Sequence, residues 1–135
     1  MYLERDDGLK FVFPAGTNFS DTKEIYTDVF TMPTMTAENN WAMQYDGEER
    51  NIQISLVLFD SDTDLSDGTN ATAVKTVGEQ YDYLMTFLSA NHSYTLHLDS
   101  GISVSPINVD TFVVTQGEGQ RHMEARIRFK MGENV

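Results

Sequence analysis

The chain has 135 residues, a length that fits one domain built around one hydrophobic core. It contains no Cys, which excludes a disulfide scaffold, thiol catalysis, Cys-ligated zinc and iron–sulfur clusters. The formal net charge of −12 repels nucleic-acid phosphates, so a nucleic-acid-binding protein is not expected.

The first third of the chain is predicted to form strands. Leu9–Phe13 alternates apolar side chains up to a turn at Pro14–Gly16. Glu24–Phe30 is rich in β-branched and aromatic residues and is predicted as a second strand. Residues 31–40 are polar and irregular, which indicates a loop or an arm, and Trp41–Tyr45 is predicted as a short strand.

The strongest predicted strand, Ile52–Phe59, follows a turn predicted at Asp46-Gly47. Alternation with a period of two predicts one buried face: Ile52, Ile54, Leu56 and Leu58. Because Val57 and Phe59 make the second half of the strand apolar on both faces, we expect that half to be covered from both sides.

An acidic loop is predicted at residues 60–72. It carries the densest group of acids in the chain: Asp60, Asp62, Asp64 and Asp67. An EF-hand calcium loop needs Gly at its sixth position and Glu at its twelfth, and this chain has Leu65 and Ala71 there. The sequence therefore predicts a solvated acidic loop rather than a calcium site.

A helix is predicted over residues 74–89, with Thr72 as its N-cap, because apolar residues recur at spacings of three and four. The stripe predicted to be buried is Val74, Val77, Tyr81, Leu84, Met85 and Leu88. Gly78 costs about 1 kcal/mol relative to Ala within a helix, which makes the first turns the weakest part of this prediction.

The chain returns to strands after the helix. Tyr94–Leu98 alternates up to a turn at Asp99–Gly101. Ile102–Val104 is predicted as a short strand, which Pro106 separates from a longer one at Ile107–Thr115.

The last predicted strand follows a Gly-rich loop at residues 116–120. Its apolar face is Met123, Ala125, Ile127, Phe129 and Met131. Its polar face is His122, Glu124, Arg126, Arg128 and Lys130. About seven or eight strands with one helix predict an α+β, mostly β fold, an antiparallel β-sandwich or barrel-like sheet with one packed helix.

No residue pattern indicates an enzyme. His92, His97 and His122 lack the spacing of a zinc site. The Ser103 region lacks the GxSxG pattern of a nucleophile elbow, and neighbouring acids such as Glu48-Glu49 point apart in a strand. Accordingly, the sequence predicts no catalytic residue, no metal and no cofactor.

Exposed aromatic residues leave a second function open. A sugar-binding platform would draw on Trp41, Tyr81, Tyr83 and Phe87. Tyr81 and Phe87 are more simply explained as core or core-edge residues of the helix. The alternative function is a carbohydrate- or host-surface-binding β-sandwich module.

Acidic residues are concentrated in the first half of the chain. Residues 1–70 carry 14 acidic and 4 basic side chains, against 7 and 5 in residues 71–135. Repeated copies of such a surface could dock on one another, positive surface to negative surface, and the alternative is that these charges serve solubility alone. The candidate subunit-interface residues are Met32, Met35, Trp41, Asp60, Asp62, Asp64, Asp67, Arg121, Arg126, Arg128 and Lys130.

The order of the predicted elements carries a resemblance. An early strand ends at Phe11–Pro14, Tyr45–Glu48 is hairpin-forming, and the long strand Ile52–Phe59 leads through the acidic linker into the helix. Ser93–Leu98 follows directly, and an alternating strand ends the chain. From about residue 9 to residue 131, this order resembles the β-sandwich-plus-helix fold of tailed-bacteriophage tail tube, distal tail and baseplate hub proteins.

The resemblance implies a non-enzymatic virion structural protein, with residues 1–135 forming a single tail-tube-like β-sandwich domain. Copies of the chain would form a ring in the tail tube, tail tip or baseplate and dock on neighbouring rings and adjacent tail or baseplate proteins. DNA would be only passing cargo, which an acidic lumen does not hold, and no membrane contact is expected. The implied location is the phage tail of the virion, with assembly in the host bacterial cytoplasm.

Overall fold

The computed structural model describes residues 1–31 and 42–131, with side chains at 1–23 and 50–131. This part of the chain forms seven strands and one helix. The strands are β1 (Tyr2–Arg5), β2 (Lys10–Val12), β3 (Asn18–Thr31), β4 (Ala42–Leu58), β5 (Tyr94–His97), β6 (Ser103–Thr115) and β7 (Met123–Met131); the helix is α1 (Val77–Phe87). The predicted fold class, mostly β with one helix, is confirmed.

The seven strands form one antiparallel sheet in the order β2-β1-β5-β6-β7-β4-β3. The sheet is sandwich-like and is not a closed barrel. Its inner face and α1 enclose a common core, whose largest fully buried side chains include Leu3, Phe11, Ile52, Leu84, Phe87, Tyr94, Ile107 and Phe129. Two kinds of layer, one sheet and one helix, therefore share a single hydrophobic core.

The predicted alternation in β4 is confirmed on one face and wrong on the other. Ile52, Ile54 and Leu58 are fully buried. Val57 and Phe59 are 41% and 43% exposed, so the end of β4 is covered from one side only. The reason is architectural, because α1 packs on the inner face of the sheet and no described element packs on the outer face.

Two predicted strand breaks are wrong. β4 continues through Asp46-Gly47, which pair with residues 27 and 26 of β3, so no turn forms there. The long partner strand β3 supplies cross-strand pairing that outweighs the low strand propensity of Asp and Gly. β6 likewise continues through Pro106, which lies where the β5–β6 register shifts between Tyr94 and Leu96. Proline is tolerated at such an irregularity because no regular ladder hydrogen bond is required of it.

β1 is a strand that the sequence pattern did not predict. Its second half consists of charged Glu4 and Arg5, and Leu3 is its one strongly apolar residue. In the sheet, Leu3 pairs with Phe11 on one side and Leu96 on the other and is fully buried. β1 thus depends on its two neighbours rather than on its own periodicity.

α1 begins later than predicted, at Val77, and its N-cap is Thr76 rather than Thr72. The Thr76 hydroxyl accepts a hydrogen bond from the Glu79 backbone N–H, and the Glu79 carboxylate accepts one from the Thr76 N–H. This reciprocal capping box satisfies two backbone donors that a helix start otherwise leaves unpaired.

The buried face of α1 also differs from the predicted stripe. It consists of Gln80, Tyr83, Leu84 and Phe87. Met85 is 53% exposed and Tyr81 is half-buried, so the stripe was correct at Leu84 and wrong at Met85.

Arg5 of β1 supports the C-terminus of α1, whose last turn carries no basic residue of its own. Its guanidinium donates to the backbone carbonyls of Thr86 and Phe87 at 3.4 and 3.3 Å. It also lies 5.6 Å from the centre of the Phe87 ring. A cation at this end interacts favourably with the helix dipole and its unpaired carbonyls.

The ion pair between Arg5 and Asp7 predicts a loss of stability in acid. Hydrogen bonds from Arg5 lower the pKa of Asp7 from 3.8 to about 2. Because the folded-state pKa is the lower one, this contribution is complete above about pH 4 and is lost as the pH falls through about 2.

We expect Asp7→Asn to reduce this loss of stability in acid. The change in the free energy of unfolding should stay below about 1 kcal/mol because the ion pair is partly exposed. Thermal unfolding followed by circular dichroism at successive pH values measures the effect. A variant whose Tm falls as steeply as that of the wild type over this range would contradict it.

Candidate functional site

The acidic loop is built around one of its four predicted acids, Asp64. The Asp64 carboxylate accepts hydrogen bonds from the backbone N–H groups of Ser66, Gly68 and Val74 at 3.0, 3.2 and 2.9 Å. The Ser66 hydroxyl donates a further bond at 2.7 Å. Burial raises the pKa of Asp64, but these donors outweigh it and hold the pKa below its ordinary value.

The loop is also tied to the start of the helix. The Asp60 carboxylate accepts a hydrogen bond from the Val77 N–H at 3.1 Å. The fully buried Gln80 amide donates to the carbonyls of Phe59 and Lys75, each at 2.7 Å. Two of the four acids predicted as interface residues, Asp60 and Asp64, thus form hydrogen bonds within the domain.

The acidic loop covers one edge of the sheet and leaves the other edge open. At β2, the Lys10 N–H donates to the Thr69 hydroxyl at 2.9 Å, and the Val12 N–H donates to the Leu65 carbonyl at 2.7 Å. At the other edge, β3 pairs with β4 and with no further described strand. An uncovered edge strand presents unpaired backbone groups that can pair with another chain.

β3 and β4 continue beyond the rest of the sheet as a two-stranded arm. β7 pairs with β4 only over Asn51–Leu58, whereas the β3–β4 ladder continues to the pair Thr31–Ala42. Nine pairs, from Lys23–Arg50 to Thr31–Ala42, have no third strand among the described residues. At about 3.3 Å per residue the arm is about 30 Å long.

The outer face of the sheet carries a row of exposed basic residues along β7, namely Arg126, Arg128 and Lys130. The register places Arg126 between Ser55 of β4 and Val113 of β6. Neither Arg126 nor Arg128 forms an ion pair with any described residue.

Two shallow grooves lie on either side of Arg126, with volumes of about 160 and 150 Å³. Val113 lines the first and Val57 lines the second. Val113 is 52% exposed, so the outer face combines unpaired positive charge with uncovered apolar side chains.

A larger groove of about 360 Å³ lies between α1 and residues 70–74, with Glu79 and Asp82 among its lining residues. The buried side of α1 packs in the same core as the inner face of β7, where Ile127 and Phe129 lie. The solvent side of α1 and the outer face of β7 therefore lie on opposite sides of the domain.

The other predicted interface residues lie in three different places. Asp62, Asp67 and Arg121 are exposed in loops. The Lys130 ammonium lies 4.0 Å from the Asp110 carboxylate. Three of the predicted residues lie outside the described residues: Met32, Met35 and Trp41.

The aromatic residues proposed for a sugar-binding platform do not form one on α1. Tyr83 and Phe87 are buried and stack on each other with ring centres 5.2 Å apart. The Tyr83 hydroxyl donates to the Lys10 carbonyl at 2.7 Å, which ties α1 to β2. Tyr81 is half-buried, and Trp41 lies outside the described residues.

The structure brings together a His, a Ser and a Glu that no sequence pattern connects. His97 Nε2 lies 3.2 Å from Glu4 Oε1, its Nδ1 lies 3.0 Å from Ser103 Oγ, and its ring stacks on Tyr2 at 4.4 Å. Serine hydrolases use this order of contacts, but they also need an oxyanion site and a substrate cleft. These residues lie on neighbouring paired strands, and the three grooves described above are lined by other residues. We interpret the group as a cross-strand link between β1, β5 and β6.

Among the described residues, no group of three or more His, Asp or Glu side chains is placed to hold a metal ion. The described helix, α1, falls short of the length and apolar character that a membrane span requires.

Among protein-family models and curated protein sequences, none matches this chain. Solved structures with a similar arrangement include a chain from the virion of a native gene transfer agent particle, at 8% identity and a TM-score of 0.47, covering 97% of this chain and 89% of that one.

A chain from the tail of an empty gene transfer agent particle is 11% identical, with a TM-score of 0.43 over 91% of this chain and 79% of that one. A chain from the sheath–tube complex of an extracellular contractile injection system is 13% identical, with a TM-score of 0.41 over 99% and 85%. At such identities and TM-scores, the similarities establish neither a family nor a function.

Proposed function

We propose that this chain is a structural subunit of a phage-type tail, in which identical copies form a ring of the tail tube, tail tip or baseplate. In this role each ring docks on neighbouring rings and on adjacent tail proteins, and DNA passes through as cargo. The observation that carries the proposal is the two-stranded arm, because a two-stranded hairpin is stable only when something packs against it.

The arm needs a partner for energetic reasons. Fixing the backbone of one residue costs about 1–2 kcal/mol, whereas one cross-strand side-chain pair contributes about 0.2–1 kcal/mol. A two-stranded hairpin without further packing is marginally stable in water. A neighbouring subunit that packs against the arm would supply the missing burial.

The two sheet edges support assembly in one direction. The loop that binds Lys10 and Val12 covers the β2 edge, while no described strand pairs with β3 on its outer side. A surface present at one end of a subunit and absent at the other favours heterologous contacts. Contacts of this kind close into rings when the rotation between copies permits it.

The assignment to a tail comes from the order of elements. The long strand β4, the acidic loop, α1 and then β5 follow one another in the structure as the resemblance requires, and β7 ends the described chain. The hairpin expected at Tyr45–Glu48 is replaced by continuous strand. A net charge of −12 would repel DNA phosphates, which supports DNA as cargo rather than as a bound ligand.

Removing the arm tests the proposal. Residues 24–49 are replaced by Asn-Gly, which favours a tight hairpin turn between the paired residues Lys23 and Arg50. The core residues that the structure describes lie at positions 1–23 and 50–131, and the variant keeps them all, so we expect it to fold with a near-native circular dichroism spectrum. We expect the full chain to form rings or tubes in electron micrographs and the arm-deleted chain to form neither, with light scattering showing smaller assemblies than those of the full chain.

Two results would contradict the proposal. One is a full chain that stays monomeric at every protein concentration and ionic strength. The other is an arm-deleted chain that assembles as well as the full chain does. A monomer that binds sugars on a glycan array would favour the carbohydrate-binding alternative instead.

A further inference from the structure

We infer that the outer face of β7 binds the solvent side of α1 in a second copy of this chain. The inference rests on the proposed function and specifies which two surfaces meet when copies assemble. Arg126 and Arg128 lie on one surface, and Asp82 and Glu79 on the other.

The first surface is mainly basic, because three basic residues of this face of β7 outnumber its one acid, Glu124, and it has apolar side chains around it. Arg126 and Arg128 are two positions apart on the same face of β7, so their Cα atoms are about 7 Å apart. Both guanidinium groups are exposed and have no ionic partner among the described residues. Val57 and Val113 expose apolar surface in the grooves beside Arg126.

The second surface has the opposite charge and its own apolar side chain. Asp82 is exposed at the groove beside α1 and has no ionic partner among the described residues. Hydrogen bonds from Thr76 lower the pKa of Glu79, which keeps its carboxylate charged. Met85, one turn from Asp82, is the exposed apolar residue of this surface.

Charge and position together favour a second copy as the partner. Arginine and carboxylate groups form charge-assisted and often bidentate hydrogen bonds. Each surface also exposes at least one apolar side chain, which can pack against the apolar part of the other surface. Because the two surfaces lie on opposite sides of the domain, one copy cannot bring its own together. Each copy offers one surface of each kind, which yields a head-to-tail contact that repeats from copy to copy.

Charge reversal on each surface in turn provides the test. Variant A carries Arg126→Glu and Arg128→Glu, which makes its β7 face acidic. Variant B carries Asp82→Arg and Met85→Lys, which makes its α1 surface basic. All four positions are exposed, so we expect near-native Tm values for both variants.

Self-association is measured by sedimentation velocity over a concentration series at low and at high salt. We expect each variant alone to self-associate at least about tenfold more weakly than the wild type, because like charges would then face each other. We expect an equimolar mixture to regain association, since the acidic β7 face of A then meets the basic α1 surface of B. High salt should weaken association of the wild type and of the mixture.

Two control variants separate this contact from general charge effects. The pair Arg126→Lys and Arg128→Lys keeps the charge and should retain most of the association. Glu118→Arg reverses a charge in the exposed loop before β7 and should leave association within about twofold of the wild type.

The outcomes distinguish this contact from the proposed function. If the wild type assembles and variants A and B assemble equally well, the contact is wrong and the proposed function stands. A mixture that gains nothing over its components would also overturn the contact. A wild type that is monomeric under all conditions would contradict both.

Discussion

Replacing Asp64 by Ala is expected to lower the free energy of unfolding by about 3 kcal/mol, because a charged acceptor shared by several donors is lost. Its carboxylate receives three backbone N–H groups and one hydroxyl, and the N–H groups of Ser66 and Val74 lie in partly buried positions. Alanine leaves these donors without a partner. Urea unfolding followed by circular dichroism measures the loss.

Asp62→Ala is the matched control for this prediction. Asp62 is an exposed residue of the same loop two positions earlier, and its carboxylate has no hydrogen-bond partner among the described residues. We expect this substitution to change the free energy of unfolding by no more than about 0.5 kcal/mol. Equal effects of the two substitutions would show that the loop is not organised around Asp64.

The Asp64 variant should also lose the cover over the β2 edge. Leu65 and Thr69, whose oxygen atoms accept from β2, flank residues that Asp64 positions. Faster amide hydrogen exchange at Lys10 and Val12 is therefore expected in Asp64→Ala and not in Asp62→Ala. An uncovered second edge favours unspecific strand pairing, so the variant should also aggregate more readily.

The second large effect is expected from Tyr94→Phe, at about 2 kcal/mol of unfolding free energy, because two backbone groups at the end of α1 lose their buried partner. The Tyr94 hydroxyl donates to the Phe87 carbonyl and accepts from the Ser89 N–H at 2.8 Å. The aromatic ring is unchanged by the substitution and keeps its edge contact with Phe87. The measured loss therefore reports on the hydroxyl alone.

Tyr81→Phe is the control for Tyr94→Phe. The Tyr81 hydroxyl has no hydrogen bond to a described residue, so its removal should change stability by less than about 0.5 kcal/mol. Hydrogen exchange adds a local readout, since the Ser89 amide should exchange faster in Tyr94→Phe only. A Tyr94→Phe protein as stable as Tyr81→Phe would contradict the capping role.

Local periodicity in the sequence determined most of the strands and the presence of the helix. In β7 and in residues 51–56 of β4, apolar and polar residues alternate because one face of the strand is buried, and this pattern can be recognised without knowing which strands are neighbours. The start of α1 is also marked in the local sequence, by the capping-box pair Thr76 and Glu79. The prediction placed the helix start too early because it followed the apolar stripe instead of this pair.

Tertiary structure decided everything that depends on which segments meet. Glu4 and His97 are 93 positions apart, and Leu3 is buried only because β2 and β5 pair on either side of β1. Pairing with β3 is likewise what extends β4 through Gly47.

The candidate site shows the same division. The distribution of charged residues along the sequence indicated segregated charge. The basic residues of the last strand, Arg126, Arg128 and Lys130, were predicted on one face from its alternation. Asp62 and Asp64 are chemically identical and nearly adjacent, yet only Asp64 meets the backbone donors that the folded loop brings to it. The sequence determines the chemistry of each side chain and the period with which apolar residues recur. The partners of a side chain depend on contacts between distant segments, which only the packed fold brings together.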